Sequence, residues 1–302
     1  MELSVVVPCY NEAETLNEFY ESICDALKKE KITYELIMVD DGSSDSTMEK
    51  LENICNENKN VKVISFSRNF GKEAAMLAGL NHASGKYVSI MDADLQHTPE
   101  TLITMYKKLI QNPEYDVVAS YKESRKDDSP LKRTLTSFFY RINNLLSDVK
   151  LLPGASDFRV FKSCVKDAII SLPEKTRFLK GIFSWVGFNT IYVPYTPEKR
   201  MYGSSKWSIM KLIKYSLGGI ISFSTKPIKS VFVIGVISFI VCFINFILMG
   251  NLSHRTIILL IGILLFCIGI MALYISRIYS NILDRPCYII RKKIGFEKKA
   301  TK

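Results

Sequence analysis

The stretch SIMDADLQH, residues 89–97, sets Asp92 and Asp94 one residue apart directly after an apolar run. Two carboxylates this close destabilise one another unless positive charge intervenes. A divalent cation answers that need. Mg²⁺ and Mn²⁺ favour carboxylate and phosphate oxygens, and Gln96 offers an amide oxygen two residues further on. An ion held by Asp92, Asp94 and Gln96 would carry a diphosphate and neutralise its charge as a bond to it breaks. A second acidic pair, Asp40 and Asp41, opens DDGSSDST at residues 40–47. Taken singly, either stretch reads equally well as turn and helix-cap chemistry. Their placement in the chain decides between the two.

Short β-rich runs lie near Leu3–Val7, Tyr34–Val39, Val61–Phe66, Tyr87–Met91 and Tyr115–Ser120, separated by stretches of helical periodicity. Between the first two, Leu16, Phe19, Tyr20, Ile23, Ala26 and Leu27 recur at helical spacing. Near-continuous apolar strands alternating with amphipathic helices make an α/β fold with a mostly parallel sheet covered on both faces. Such sheets bind ligands at the carboxyl ends of their strands. PCYNE (8–12), DDGSSDST, SRNFGK (67–72) and DADLQH (92–97) follow the first four strands, so all four loops converge on one rim.

Beyond Pro130 the pattern changes. Leu131, Leu135, Phe138, Phe139, Ile142, Leu145 and Leu146 share an arc of about 120° on a helical wheel, with Arg133 and Tyr140 outside it. Ile209, Met210, Ile213, Leu217, Ile220 and Ile221 form a similar arc. Each face suits a protein core or a membrane interface. Two runs of 19 residues without a charge, Val231–Met249 and Ile257–Ile275, follow. As helices each is about 28 Å long, matching a bilayer core of roughly 30 Å. Lysines before the first run and Arg277, Arg285, Arg291, Lys292 and Lys293 after the second put both termini on the cytoplasmic side by the positive-inside bias. Met1 runs almost at once into LSVVVP, so no signal peptide is expected. The net charge of +10 clusters beside the apolar runs and carries no nucleic-acid-binding motif. Seven cysteines without CxxC or Cys/His grouping indicate reduced thiols.

VVVPCYNEAETL, MVDDGSSDST, FSRNFGKEAAMLAGL, MDADLQHTPE, GASDFRVF, RFLKGIFSWVGF, YTPEKRMYGSSKWS and ISFSTKPI occur in this order. Together they resemble the polyprenyl-phosphate glycosyltransferases of glycosyltransferase family 2, a group that includes bactoprenol glucosyltransferases and dolichyl-phosphate mannose synthase. The resemblance runs from residue 3 to the second apolar run. It implies a GT-A catalytic domain over residues 1–226, with interfacial helices near 131–148 and 205–223. Two membrane helices within 227–277 and a basic cytoplasmic tail over 278–302 would complete a multi-pass protein of the inner membrane.

Position by position, the resemblance assigns Pro8, Tyr10 and Glu12, with Asp40 or Asp41, to the nucleotide's base and ribose. It assigns Asp92, Ala93, Asp94 and Gln96 to metal and diphosphate, Asp157 and Arg159 of SDFR to the acceptor side, and Arg200, Ser205 and Lys206 to a loop closing over the diphosphate. Arg125, Lys132 and Arg133 are candidates for the lipid phosphate, with Lys122 competing with Arg125. A lipid monophosphate is already a competent oxygen nucleophile, so Asp157 is expected to orient more than to abstract a proton. His82, His97 and His254 lack metal-ligand spacing and read as structural or solvated.

The implied reaction is inverting transfer of a hexose, glucose first and N-acetylglucosamine or mannose next, from a UDP-sugar to undecaprenyl phosphate. Mg²⁺ or Mn²⁺ would be the cofactor. A homo-oligomer, a separate flippase and a downstream transferase are the expected company. A membrane-anchored binding scaffold without turnover is the alternative from another class.

Overall fold

The computed structural model describes residues 1–122, 130–175, 177–195, 217–249 and 254–296. Strands β1 (Leu3–Cys9), β2 (Tyr34–Asp40), β3 (Val61–Phe66) and β4 (Tyr87–Ile90) lie side by side in parallel, in the spatial order β4-β1-β2-β3. Each is buried along nearly its whole length, which is why the sequence runs apolar there without alternating.

Helices α1 (Leu16–Lys29), α2 (Thr47–Glu57) and α4 (Pro99–Gln111) cover one face through a core that includes Phe19, Leu51 and Leu102. Helices α3 (Lys72–His82), α6 (Ser163–Ser171) and α7 (Leu179–Trp185) cover the other, around Met76, Ile169 and Phe183. α3 lies unusually close to the sheet, because a Cβ at Gly79 would collide with the Val6 side chain.

Three further strands extend the sheet beyond β4. β6 (Ala155–Lys162) pairs antiparallel with β4, β5 (Val117–Lys122) antiparallel with β6, and β7 (Thr190–Tyr195) parallel with β5. With β8 (Ile290–Ile294) at one edge, the full order is β7-β5-β6-β4-β1-β2-β3-β8. The chain builds outward from β1 toward β3 and then turns to the opposite side at β4. Open α/β sheets bind ligands at such a switch, outside the carboxyl ends of the strands.

The C-terminal segment departs from expectation. Residues 278–302 read as a basic tail, yet β8 (Ile290–Ile294) pairs antiparallel with β3 and becomes the sheet's edge. Its sequence IRKKI keeps isoleucine at both ends and turns Arg291, Lys292 and Lys293 outward, and lysine is a usual guard of an exposed edge. Tyr288 stacks on Phe66 with ring centroids 5.0 Å apart, and its hydroxyl accepts from Asn81 Nδ2 at 3.0 Å. Lys292 pairs with Glu52 at 2.7 Å. A charge-rich composition had hidden a β-strand whose partners lie more than two hundred residues away.

Helix α5 (Pro130–Leu146) buries Tyr140 and Asn143 while leaving Phe138 and Leu145 exposed. Phe138 and Leu145 belong to the apolar arc, so two of its members face outward. Of the second amphipathic stretch, residues 217–223 are described and helical, with Ile220 buried and Leu217 exposed.

The apolar runs form α8 (Lys226–Met249) and α9 (His254–Ile282), longer than the 231–249 and 257–275 expected. Among the described residues these two helices are long and apolar enough to cross a membrane, with mean hydropathies of 2.4 and 3.0, and almost none of either is buried within the protein. Tyr274 donates to the Ser224 carbonyl at 2.7 Å and Arg277 to Ser222 Oγ at 2.6 Å, fastening α9 to the segment that precedes α8.

Candidate active site

The rim at the carboxyl ends of the strands divides into two halves. Around β1 and β2 the loops are stitched together by hydrogen bonds between side chains and backbone. Asn11, held at φ 52°, accepts from Ser44 N through Oδ1, its own N–H donates to Ser43 Oγ, and Glu12 N donates to Thr47 Oγ1. Asp40 accepts from Ser43 N at 3.0 Å and Ser65 Oγ at 2.9 Å. Asp41 accepts from Phe70 N at 2.7 Å and from Gly71 N at 2.9 Å.

Both carboxylates are buried, at 2% and 3% exposure. Burial pushes Asp41 up to about 6, with the nearby Asp40 charge acting the same way and the Phe70 and Gly71 amides opposing. Asp40 and Asp41, expected against base and ribose, are buried here and hold the loops through these hydrogen bonds. Tyr10 is exposed, Pro8 lies at the end of β1, and Ala93, expected on the donor side, has its side chain in the core.

The other half is charged and partly open. Asp92 and Asp94 follow β4, and Asp94 Oδ1 accepts from Gln96 N at 3.2 Å. Between them and Gln96, Leu95 is held at φ 59°, a left-handed conformation that a leucine adopts at a cost and that recurs at functional sites. Facing Asp92 is a residue that sequence reasoning missed. Lys72, the first residue of α3, sets Nζ 2.7 Å from Asp92 Oδ1 and 2.8 Å from Oδ2, and 3.3 Å from Asp157 Oδ2. Lys180, in the first turn of α7, lies 3.8 Å from Asp157 Oδ1.

Burial opposes charge on Asp157, but Lys180, Lys72 and Arg159 outweigh it and hold the carboxyl well below its ordinary range. Burial likewise opposes charge on Lys72, and Asp92 and Asp157 more than reverse this, raising it. Lys72 ends the rim loop SRNFGK and Lys180 falls within the motif RFLKGIFSWVGF, but neither was singled out.

Arg159, expected at the acceptor phosphate, is buried instead, with its guanidinium 4.4 Å from the centre of the Phe183 ring and Nε donating to the Ser156 carbonyl. His97 is buried between the rings of Phe158 and Tyr195, 4.6 Å from each, and its Nε2 lies 3.2 Å from Ser156 Oγ. Burial lowers it to about 4, so it is neutral and structural. Arg125, Arg200, Ser205 and Lys206 lie outside the described residues. Lys132 and Arg133 fall in the first turn of α5, with their side chains likewise outside.

Whether a divalent ion suits this rim depends on its donors. Among the described residues no three His, Cys, Asp or Glu side chains gather into a cage. Two carboxylates and an amide oxygen in one loop suit Mg²⁺ or Mn²⁺, ions that commonly complete their coordination with water and substrate phosphate. The ammonium already drawn onto Asp92 shows that this loop attracts a cation.

Comparison with known proteins is consistent with the geometry. The family model described as "Glycosyl transferase family 2" matches residues 4–165. The glycosyltransferase YkcC of Bacillus subtilis (strain 168) is 34% identical over 312 residues, covering 99% of this chain and 96% of its own. The SfII prophage-derived bactoprenol glucosyl transferase of Shigella flexneri is 36% identical over 305 residues, covering 97% and 98%. Among solved structures, glucosyl-3-phosphoglycerate synthase of Mycobacterium tuberculosis, in complex with Mn²⁺, UDP and phosphoglyceric acid, aligns with a TM-score of 0.50. It is 20% identical and covers 73% of this chain and 76% of that one, which supports the GT-A fold.

Proposed function

The chain belongs to glycosyltransferase family 2 and is a glycosyltransferase, and from that premise we propose that it moves a hexose from a nucleotide diphosphate sugar to a polyprenyl phosphate. Glucose, UDP and undecaprenyl phosphate are the reactants we favour. The observation that carries the proposal is the end-to-end match with bactoprenol glucosyl transferase, which takes in the apolar helices as well as the sheet. A lipid acceptor suits a chain whose catalytic sheet is joined directly to two helices with exposed apolar surfaces.

In the reaction an oxygen of the lipid phosphate attacks the anomeric carbon as the bond to the β-phosphate oxygen breaks. The electron pair leaves on the nucleoside diphosphate, and a single displacement inverts the anomeric centre. No proton needs to be removed from a phosphate that is already anionic, so positioning outweighs base catalysis. Asp157 fits this scheme. Held ionised by three cations and bridged to Lys72, it is built to orient its neighbours.

Asp92, Asp94 and Gln96 would hold Mg²⁺ or Mn²⁺, which when bound supplies charge compensation to the leaving diphosphate. The Mn²⁺ complex of the mycobacterial neighbour lends support to a divalent ion. Lys72 and Lys180 add positive charge on the side of Asp157, where an acceptor phosphate would approach. With the catalytic domain at the inner face of the membrane, the lipid-linked sugar would be flipped by another protein and used outside.

Transfer of labelled glucose from UDP-glucose to undecaprenyl phosphate, with the purified protein in detergent, tests the reading. Asp94→Asn is expected to lower turnover by about a hundredfold or more, an effect typical of losing one charge-stabilising group, and excess chelator should abolish it. Undiminished transfer in chelator would overturn the metal role. Binding of UDP with no turnover on any lipid phosphate would favour a scaffold.

A further inference from the structure

Lys72 stands where electrostatics alone would not put it. It opens α3, and the amino-terminal end of a helix repels positive charge. Three features hold it there. Asp41 draws in the amides of Phe70 and Gly71, Gly71 turns the chain into the helix at φ 99°, and Gly79 allows the helix to seat against Val6. The ammonium that results meets carboxylates from two different strands, Asp92 after β4 and Asp157 in β6, and it engages both oxygens of Asp92. Asp92 is the same side chain that a divalent ion in the DxD loop would need.

We propose that Lys72 is an internal counter-cation for Asp92, which a divalent ion must displace toward Asp157, so that the metal binds tightly only together with the donor's diphosphate. This rests on the metal reading given above and adds an order to it. An ion on a carboxylate oxygen would sit within roughly 4–5 Å of an ammonium bonded to the same group, a repulsive arrangement in a half-buried site. Asp157 offers the ammonium a second partner. The diphosphate brings the negative charge and the oxygen ligands that offset the repulsion. Without nucleotide, Lys72 keeps the acidic loop neutralised and closed to stray cations.

The test is Mn²⁺ affinity, read from the electron paramagnetic resonance signal of the free ion, on the full chain in detergent with and without UDP. Wild type is expected to bind Mn²⁺ weakly alone and much more tightly with UDP. Lys72→Met should bind Mn²⁺ alone about tenfold more tightly or better, from relief of like-charge repulsion. The strengthening by UDP should shrink correspondingly, since coupling between two ligands is reciprocal. Lys72→Arg, which keeps the charge, should retain the wild-type pattern. Lys72→Gln serves if thermal unfolding in chelator shows that the methionine variant has lost its fold. A neutral variant that binds Mn²⁺ alone no better than wild type, while both bind Mn²⁺ with UDP, overturns the proposal by itself. Absence of Mn²⁺ binding to wild type even with UDP overturns the proposal together with the metal reading.

Discussion

The two halves of the rim use the same residue type for different ends. Asp40 and Asp41 are buried and satisfied by fixed backbone amides and a serine hydroxyl, whereas Asp92 and Asp157 keep part of their side chains exposed and are bonded by the tip of a lysine side chain. A carboxylate bonded to backbone can change partners only if the loop unfolds. One bonded to an ammonium exchanges partners by rotating a side chain. The first half is thus a frame and the second a place where ligands can be traded.

That contrast can be broken most sharply by comparing alanine substitutions. Asp92→Ala is expected to reduce sugar transfer by two orders of magnitude or more while changing unfolding stability by about 1 kcal/mol, because a solvent-accessible ion pair contributes little. Asp41→Ala should do the reverse in stability. It strands the Phe70 and Gly71 amides, and each buried donor left unsatisfied costs about 1–3 kcal/mol. Thermal and denaturant unfolding of both variants, set beside their transfer rates, checks the pair. Equal loss of stability in the two would erase the distinction.

A smaller effect sharpens it through pH. Asp41 titrates at about 6 in the folded protein, above the ordinary carboxylate value. The native state therefore binds more protons than the unfolded state between about pH 4 and 6, and stability from this group falls as pH rises through that window, by about 2–3 kcal/mol at most. Asp157 is held below its ordinary value, so its contribution is present above about pH 4 and is lost on acidification. Unfolding from pH 3.5 to 7 should show the stability difference between wild type and Asp41→Asn moving in the variant's favour as pH rises from about 4 to 6, and the same substitution should do so in an Asp157→Asn background. The advantage of wild type over Asp157→Asn should fade toward acid.

Much of this architecture could be read in advance. The strands expected at Leu3–Val7, Tyr34–Val39 and Val61–Phe66 are β1 to β3, because buried parallel strands must be apolar on both faces and few other segments are. The fifth run was placed two residues early, since Tyr115 and Asp116 precede the ladder that Val117 begins. The convergence of four loops on one rim followed from alternating strands and helices alone.

What escaped notice depended on neighbours in space. β8 is too short and too charged to declare itself, and it exists because β3 offers an unpaired edge. Lys72 was visible as a letter, but its two carboxylate partners lie 20 and 85 positions away. Nothing local to Asp40 and Asp41 revealed that Ser65, Phe70 and Gly71 would bond to them.

The union of β3 with β8 also constrains the hydrophobic helices. The sheet begins with residue 3 and ends with residue 294, and α8 and α9 are an excursion between two of its strands. The two helices are thus a loop in the chain that leaves the sheet and returns to it. Joined to the helices at two points of the chain, the sheet has less freedom to swivel against them than one joined at a single point.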